Sequence, residues 1–336
     1  MYGPYLALGT AACWMVSALA FENASRRVGS VPVNLLRLLV AFALLMLLNS
    51  YRFGQPLPLS ATTTQWNYLL LSGLLGFFVG DLALFRAFVV LGARVSTLLM
   101  CLAPPIAAVT EWLWLGNPIT ALQVAGMMVT LAGVAWVVFE KPAPEDGREG
   151  ARVTSAPHVE FESEARLGGA GTTVLEYEAM PIANATDHRR ITPFAIFLGV
   201  VAAVGQGVGL VCTKVAMSAP PHLDAFAATQ IRIIAGIVTF SGLVVLSGRL
   251  GDCRNALKDR KAMLLLSIGA ITGPFLGVSM LNKAVELIPS GVAQTITSLV
   301  PVLIIPVSIF ILKERVKWQA IIGALVAVAG VAMLVM

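Results

Sequence analysis

Residues 68–138 and 265–335 are two versions of one segment, superimposable at a constant shift of 197 positions. Ser72, Gly76 and Gly80 fall on Gly269, Gly273 and Gly277; Arg86 falls on Lys283, Pro104 on Pro301, and Gly126 and Gly133 on Gly323 and Gly330. Further back, NLLRLLVAF around Arg37 matches TQIRIIAGI around Arg232 at a shift of 195. A repeat on this scale predicts two structurally related halves rather than one irregular domain.

The composition says where those halves reside. With 57% hydrophobic and 12% charged residues, and a mean hydropathy of +0.84, the chain has too little polar surface to coat a water-soluble globule. Apolar runs long enough to cross ~30 Å of hydrocarbon lie at 4–21, 32–49, 67–91, 94–115, 119–139, 193–217, 224–247, 262–286, 291–312 and 317–336. The prediction is an all-α integral membrane protein of ten helices, five per half. The first run lacks a basic leader and is followed by Glu22 rather than a small-residue cleavage site, so it reads as a helix and not as a signal peptide. Trp66, Trp112, Trp114, Trp136 and Trp318 stand near run ends, as interfacial aromatics do.

Three units follow: a first repeat over 1–139, a polar acidic linker over 140–192 and a second repeat over 193–336. The linker holds Glu145, Asp146, Glu149, Glu160, Glu162 and Glu164 among Gly, Ala, Pro and Thr, without usable periodicity, and it predicts disorder. The linkers after odd-numbered runs carry Arg26, Arg27, Arg94, Lys141, Arg249, Arg260 and Lys313 among others, against little beyond Arg52 after the even ones. The positive-inside rule then makes the odd linkers cytoplasmic and both termini external. Because five is odd, the second repeat enters the membrane from the opposite side. Such inverted repeats enclose a midplane site in many secondary transporters.

Charged residues inside the runs cost roughly 2.5–3.5 kcal/mol each on insertion scales, so they need partners or water. Asp81 is the sharpest of them. Its counterpart is Val278, so no symmetrical structural role accounts for it; it either meets a cationic group or a proton, or pairs with Arg37 or Arg86. Arg37 and Arg232 recur near the starts of their helices, where a long side chain snorkels, holds a neighbouring helix end or gates. Glu111 precedes Trp112 near a run end and reads as interfacial or as a coupling group. Lys214 and Lys283 lie late in their runs, placed either to draw in a carboxylate or to snorkel. The glycine ladders at 72/76/80 and 269/273/277 predict close helix contact.

Catalytic signatures are sparse. His158, His188 and His222 lie outside the runs, no phosphate-binding Gly-x-x-x-x-Gly-Lys-Ser/Thr loop occurs, and the four cysteines lack metal-ligand spacing. No cofactor is predicted. The net charge of +5 fits loops beside anionic lipid and gives no case for nucleic acid.

The openings Arg37-Leu38-Leu39-Val40-Ala41 and Arg232-Ile233-Ile234-Ala235 are joined by a second pair of matching segments. These are Pro104 or Pro301 running into Leu115-Gly116-Asn117-Pro118-Ile119-Thr120 or Leu312-Lys313-Glu314-Arg315-Val316. Together with the glycine-spaced last helices, they make the chain resemble the EamA-type branch of the drug/metabolite transporter superfamily. It departs from that pattern at Asn117, where the acidic residue of Glu314 has no counterpart, and in its long linker. The resemblance implies ten helices in two repeats, a carrier of small organic solutes that is often an exporter of amino acids or related metabolites, and cytoplasmic termini. It also implies that Trp14 and Ser17 of the first helix, Gln206 of the sixth and Gln294 of the ninth line a central cavity, the alternative for each being ordinary packing.

The reading carried forward is a secondary transporter working by alternating access in a bacterial inner membrane. Its partners are a small-molecule solute and membrane lipids, and its energy comes from the solute gradient or proton exchange. An integral-membrane enzyme acting on a lipid-linked substrate through Asp81 or Glu111, and a non-transporting scaffold working through its acidic linker, remain as alternatives.

Overall fold

The computed structural model describes residues 2–84, 87, 99–139, 193–310 and 318–335. The 140–192 linker, Arg86 and Glu314 lie outside the described residues. Among the described residues every regular element is helical. Six helices are long and apolar enough to cross a membrane: Gly3–Ser25, Ser30–Phe53, Thr63–Leu84, Ile196–Ser218, Ala225–Leu246 and Arg260–Leu287. Large apolar side chains such as Leu47, Met128, Val238 and Leu325 stand on outer faces, a surface suited to lipid and not to water.

In chain order the elements are α1 (Gly3–Val28), α2 (Ser30–Phe53), α3 (Thr63–Leu84), α4 (Ala103–Leu115), α5 (Ala121–Phe139), α6 (Pro193–Ser218), α7 (Ala225–Leu246), α8 (Leu250–Ala256), α9 (Arg260–Leu287), α10 (Ser290–Thr297), α11 (Val300–Phe310) and α12 (Trp318–Val335). Helix starts are set by local chemistry. Thr62 and Gln65 form a reciprocal capping box at α3, Thr120 and Gln123 exchange the same bonds before α5, and Asp224 and Asp259 cap α7 and α9. Gly29, at φ 83°, makes the sharp corner between α1 and α2, a conformation that costs glycine little.

Two departures from the sequence expectation are physical. First, the runs at 94–115 and 291–312 are not single α-helices where they are described. A tight turn closes at Leu102 N–H to Leu99 O (3.0 Å) and at Leu299 N–H to Ile296 O (3.1 Å), 197 positions apart. Pro104 and Pro301, just beyond, have no N–H to continue the ladder. Second, α3 and α9 each contain a π-helical segment, Leu74–Gly80 and Ile271–Gly277, again 197 positions apart. The glycine ladders therefore sit on widened turns. The short α8, in the polar stretch after α7, was not foreseen.

Packing is reciprocal. α1 lies against α9, with Thr10 donating to Gly277 O at 3.2 Å and Phe21 covering Gly269. α6 lies against α3, with Ser72 and Thr213 hydroxyls 2.8 Å apart. In both pairs the helices run antiparallel. The first helix of each half thus packs on the π-bearing helix of the other. α5 and α12 also run antiparallel: a Cβ at Gly126 would stand 3.0 Å from Gly330 O, and one at Gly133 would stand 2.7 Å from Gly323 O. This is the self-complementary contact of a two-fold axis, residue i meeting the equivalent of j and j the equivalent of i. α2 crosses α7 with Asn49 bonded to Gln230 (2.7 Å) near one end and Leu38 seated over Gly236 further along.

Candidate functional site

Arg37 and Arg232 each stand seven residues after the first residue of their helices. Neither snorkels. Arg37 turns inward from α2 and forms an ion pair with Asp81 of α3, Nη2 to Oδ2 at 2.6 Å, with only 14% and 15% of the two side chains exposed. Its guanidinium lies 5.3 Å from the Phe21 ring centre. The other Asp81 oxygen accepts from Gln206 Nε2 of α6 at 3.1 Å, and the same amide donates to Gly76 O at 3.3 Å. That carbonyl also accepts the backbone N–H of Asp81 at the end of the π segment, so Gln206 uses its second lone pair.

Arg232 is buried, 5% exposed. Its Nη1 donates to Asn282 Oδ1 of α9 at 2.8 Å, and Asn282 Nδ2 donates to Thr229 Oγ1 at 2.9 Å. The guanidinium carbon lies 5.2 Å from the centre of the Phe77 ring, a geometry that favours a cation over the ring face. A Cβ at Gly76 would find Arg232 Nη2 at 3.4 Å and Gln206 Oε1 at 3.9 Å, so the two groups meet over the bare backbone of α3. Arg37 Nε and Arg232 Nε are buried without a hydrogen-bond partner among the described residues.

A second polar centre lies along α4 and α6. Glu111 is buried, and its Oε1 accepts from Lys214 Nζ at 2.6 Å and Asn117 Nδ2 at 3.1 Å, while Oε2 accepts from the backbone N–H of Ser290. Lys214 also donates to Ile288 O at 2.9 Å. Glu111 is therefore turned into the protein, where it caps α10 at the N–H of its first residue. Asn117, the departure from the family pattern, helps to hold it.

The remaining predicted residues are dispersed. Trp14 packs over Gly277 and Ser17 over Gly273, so both fill the α1–α9 contact. Gln206 occupies over Gly80 the place that Trp14 takes over Gly277. Gln294 is 7% exposed within α10 and makes no side-chain hydrogen bond to a described residue. Lys283 pairs with Glu286 at 2.8 Å, and His222 meets the same carboxylate at 2.9 Å. Lys283 and His222 edge a cavity of about 380 Å³, also lined by Asn49, Arg52, Ser60 and Asp224. Sequence reasoning missed Asn282, whose signal was a lone amide inside an apolar run, and Phe77, which carried none.

Residues 1–139 and 193–336 match the family described as "EamA-like transporter family". A solved structure described only as "Crystal structure of protein" superposes with a TM-score of 0.65 at 14% identity, covering 98% of this chain and 95% of that one. At that identity the likeness speaks for the fold alone. No curated protein matches the chain.

Proposed function

The chain belongs to the EamA-like transporter family, and from that premise we propose that it is a secondary carrier of a small organic solute, an amino acid or related metabolite, exported across a bacterial inner membrane by alternating access. Two inverted five-helix halves, 1–139 and 193–336, rock about a site between them, and the 140–192 linker joins them. The equivalent π segments, the equivalent proline breaks and the two-fold α5–α12 contact support that arrangement. One observation carries the functional reading. Arg37 and Asp81 of the first half meet Gln206 and Arg232 of the second inside apolar helices, where polar groups are expensive and tend to mark a path.

In this reading Gln206 and Asp81 line the path, Arg37 and Arg232 shape it, and Gln294 faces it. Trp14 and Ser17 brace the equivalent contact on the other side. Glu111 and Lys214 form a gate between α4 and α6, and Lys283 stands at the mouth. Arg86 is assigned to gating with them. The driving force is the solute gradient or proton exchange.

The test is counterflow of labelled amino acids and related metabolites in liposomes holding the purified protein. Saturable exchange of chemically unchanged solute, retained after deletion of 145–188, supports the carrier. Conversion of solute by the detergent-solubilised protein would replace it with an enzyme, and loss of function on the deletion would favour a scaffold.

A further inference from the structure

The buried cluster is not neutral. Arg37 and Asp81 cancel, and Asn282, which satisfies Arg232, brings no charge. Among the described residues Arg232 therefore keeps a full positive charge at 5% exposure, in helices long and apolar enough to span a membrane. Its bonding is lopsided. Nη1 is held by Asn282, whereas Nε is buried without a partner and no described residue accepts from Nη2. Nε and Nη2 lie on one edge of the guanidinium plane, and that edge is the two-donor fork that matches the two oxygens of a carboxylate. The plane's face is covered by Phe77, so the ring leaves the edge as the binding surface. Gly76 presents no side chain there, and a Cβ at that position would already stand 3.4 Å from Nη2.

We infer that the unpaired Nε–Nη2 edge of Arg232 is the docking point for the solute's carboxylate, so that the carrier takes organic acids and zwitterions and refuses amines that lack an acid group. The inference rests on the transport reading above and narrows its substrate class. One surplus positive charge matches one negative charge, which favours a carboxylate over a phosphate monoester carrying about −1.5 to −2 at neutral pH. Gln206, with Oε1 beside the same glycine, stands where it meets polar substituents of the bound acid. Asp81 is not a substrate ligand in this scheme. It holds Arg37, and its charge competes with the incoming acid.

The experiment uses size-matched probes: butanoate, butanamide and butylamine, then phenylacetate, phenylacetamide and phenethylamine, with 2-aminobutanoate and phenylalanine as zwitterions. Binding is read as a saturable thermal shift of the purified full chain in detergent, and transport as counterflow in liposomes. Acids and zwitterions bind while amides and amines do not. Arg232→Lys keeps the charge but loses the fork and binds acids roughly tenfold more weakly, as loss of about one charge-assisted hydrogen bond requires. Folded Asp81→Asn binds acids more tightly, whereas a cation site at Asp81 would lose its ligand. Amines or amides binding as well as acids, no acid binding at either size, or loss of acid binding in Asp81→Asn overturns the inference. Acid binding without flux keeps the inference and sinks the carrier; flux of amines alone does the reverse.

Discussion

Lys214 of α6 places its ammonium 2.6 Å from the Glu111 carboxylate of α4, and the other oxygen of that carboxylate holds the first N–H of α10. One side chain thus ties three helices together. Truncating either partner leaves the other buried and uncompensated, which typically costs about 3–5 kcal/mol. Glu111→Ala and Lys214→Ala should each lower the unfolding temperature in detergent sharply, and Glu111→Gln/Lys214→Met should recover much of the loss. Additive effects in the pair would show that the two residues do not act as a unit.

The Arg37–Asp81 pair makes a similar forecast in the first half. Val278 stands at the position equivalent to Asp81, so the fold already accommodates valine at this place in the other half. Arg37→Met alone strands Asp81 among apolar helices, at a cost on the order of the roughly 2.5–3.5 kcal/mol insertion penalty. Arg37→Met/Asp81→Val should be more stable than Arg37→Met. Thermal unfolding of the three proteins decides it, and a double variant no better than the single one would mean the pair is not the carboxylate's main support.

Close approach of α5 and α12 depends on small residues. A Cβ at Gly133 would crowd the Gly323 carbonyl at 2.7 Å, and small-residue faces of this kind let membrane helices meet backbone to backbone. Gly133→Leu should force the helices apart and destabilise by about 1–3 kcal/mol or more. Gly242, where a Cβ would meet nothing within 4 Å, is the control: Gly242→Ala should leave the unfolding temperature unchanged or slightly raised.

Asp259, at the start of α9, gives a pH dependence outside the spanning helices. The N–H of Ala262 and then the Arg27 guanidinium, 2.9 Å away, hold its carboxyl below the usual carboxylate range. A depressed carboxyl contributes stability above its unfolded pKa of about 3.9 and loses it as pH falls through the lower folded value. The stability gap between wild type and Asp259→Ala should be constant from neutral pH down to the ordinary carboxylate value and should narrow below it. A gap unchanged at the most acidic pH the fold survives would remove the ion pair and cap as its cause.

The broad plan was legible because its signals are periodic. Apolar runs and a glycine register at a fixed shift need no tertiary information; the caps at Thr62, Asp224 and Asp259 lie at or up to five residues before the run starts at 67, 224 and 262. The candidate site was legible only in parts. Asp81 stood out as an unmatched carboxylate, and Arg37 was one of two partners named for it. The bond from Gln206 to Asp81 joins residues 125 apart in sequence, and no local pattern specifies such a pairing. Glu111 looked interfacial because Trp112 follows it; Trp112 is exposed at 54%, yet one residue of helical rotation turns Glu111 inward. Arg232, like Arg37, reads from its place near a helix start as a residue that snorkels, holds a neighbouring helix end or gates, and its partner is the uncharged Asn282.

The π segments of α3 and α9 also set a heading. Each such turn accommodates one more residue than an α-helix would, and each α-helical residue advances the chain by about 100° around its axis. Asp81 is the first residue after the segment in α3. Its direction across the membrane is therefore fixed by a single inserted residue upstream. Deleting Val79 would leave every side chain of the cluster in the sequence, yet would swing Asp81 about a quarter-turn away from Arg37. The chemistry of this site is written as much in a residue count as in residue identity.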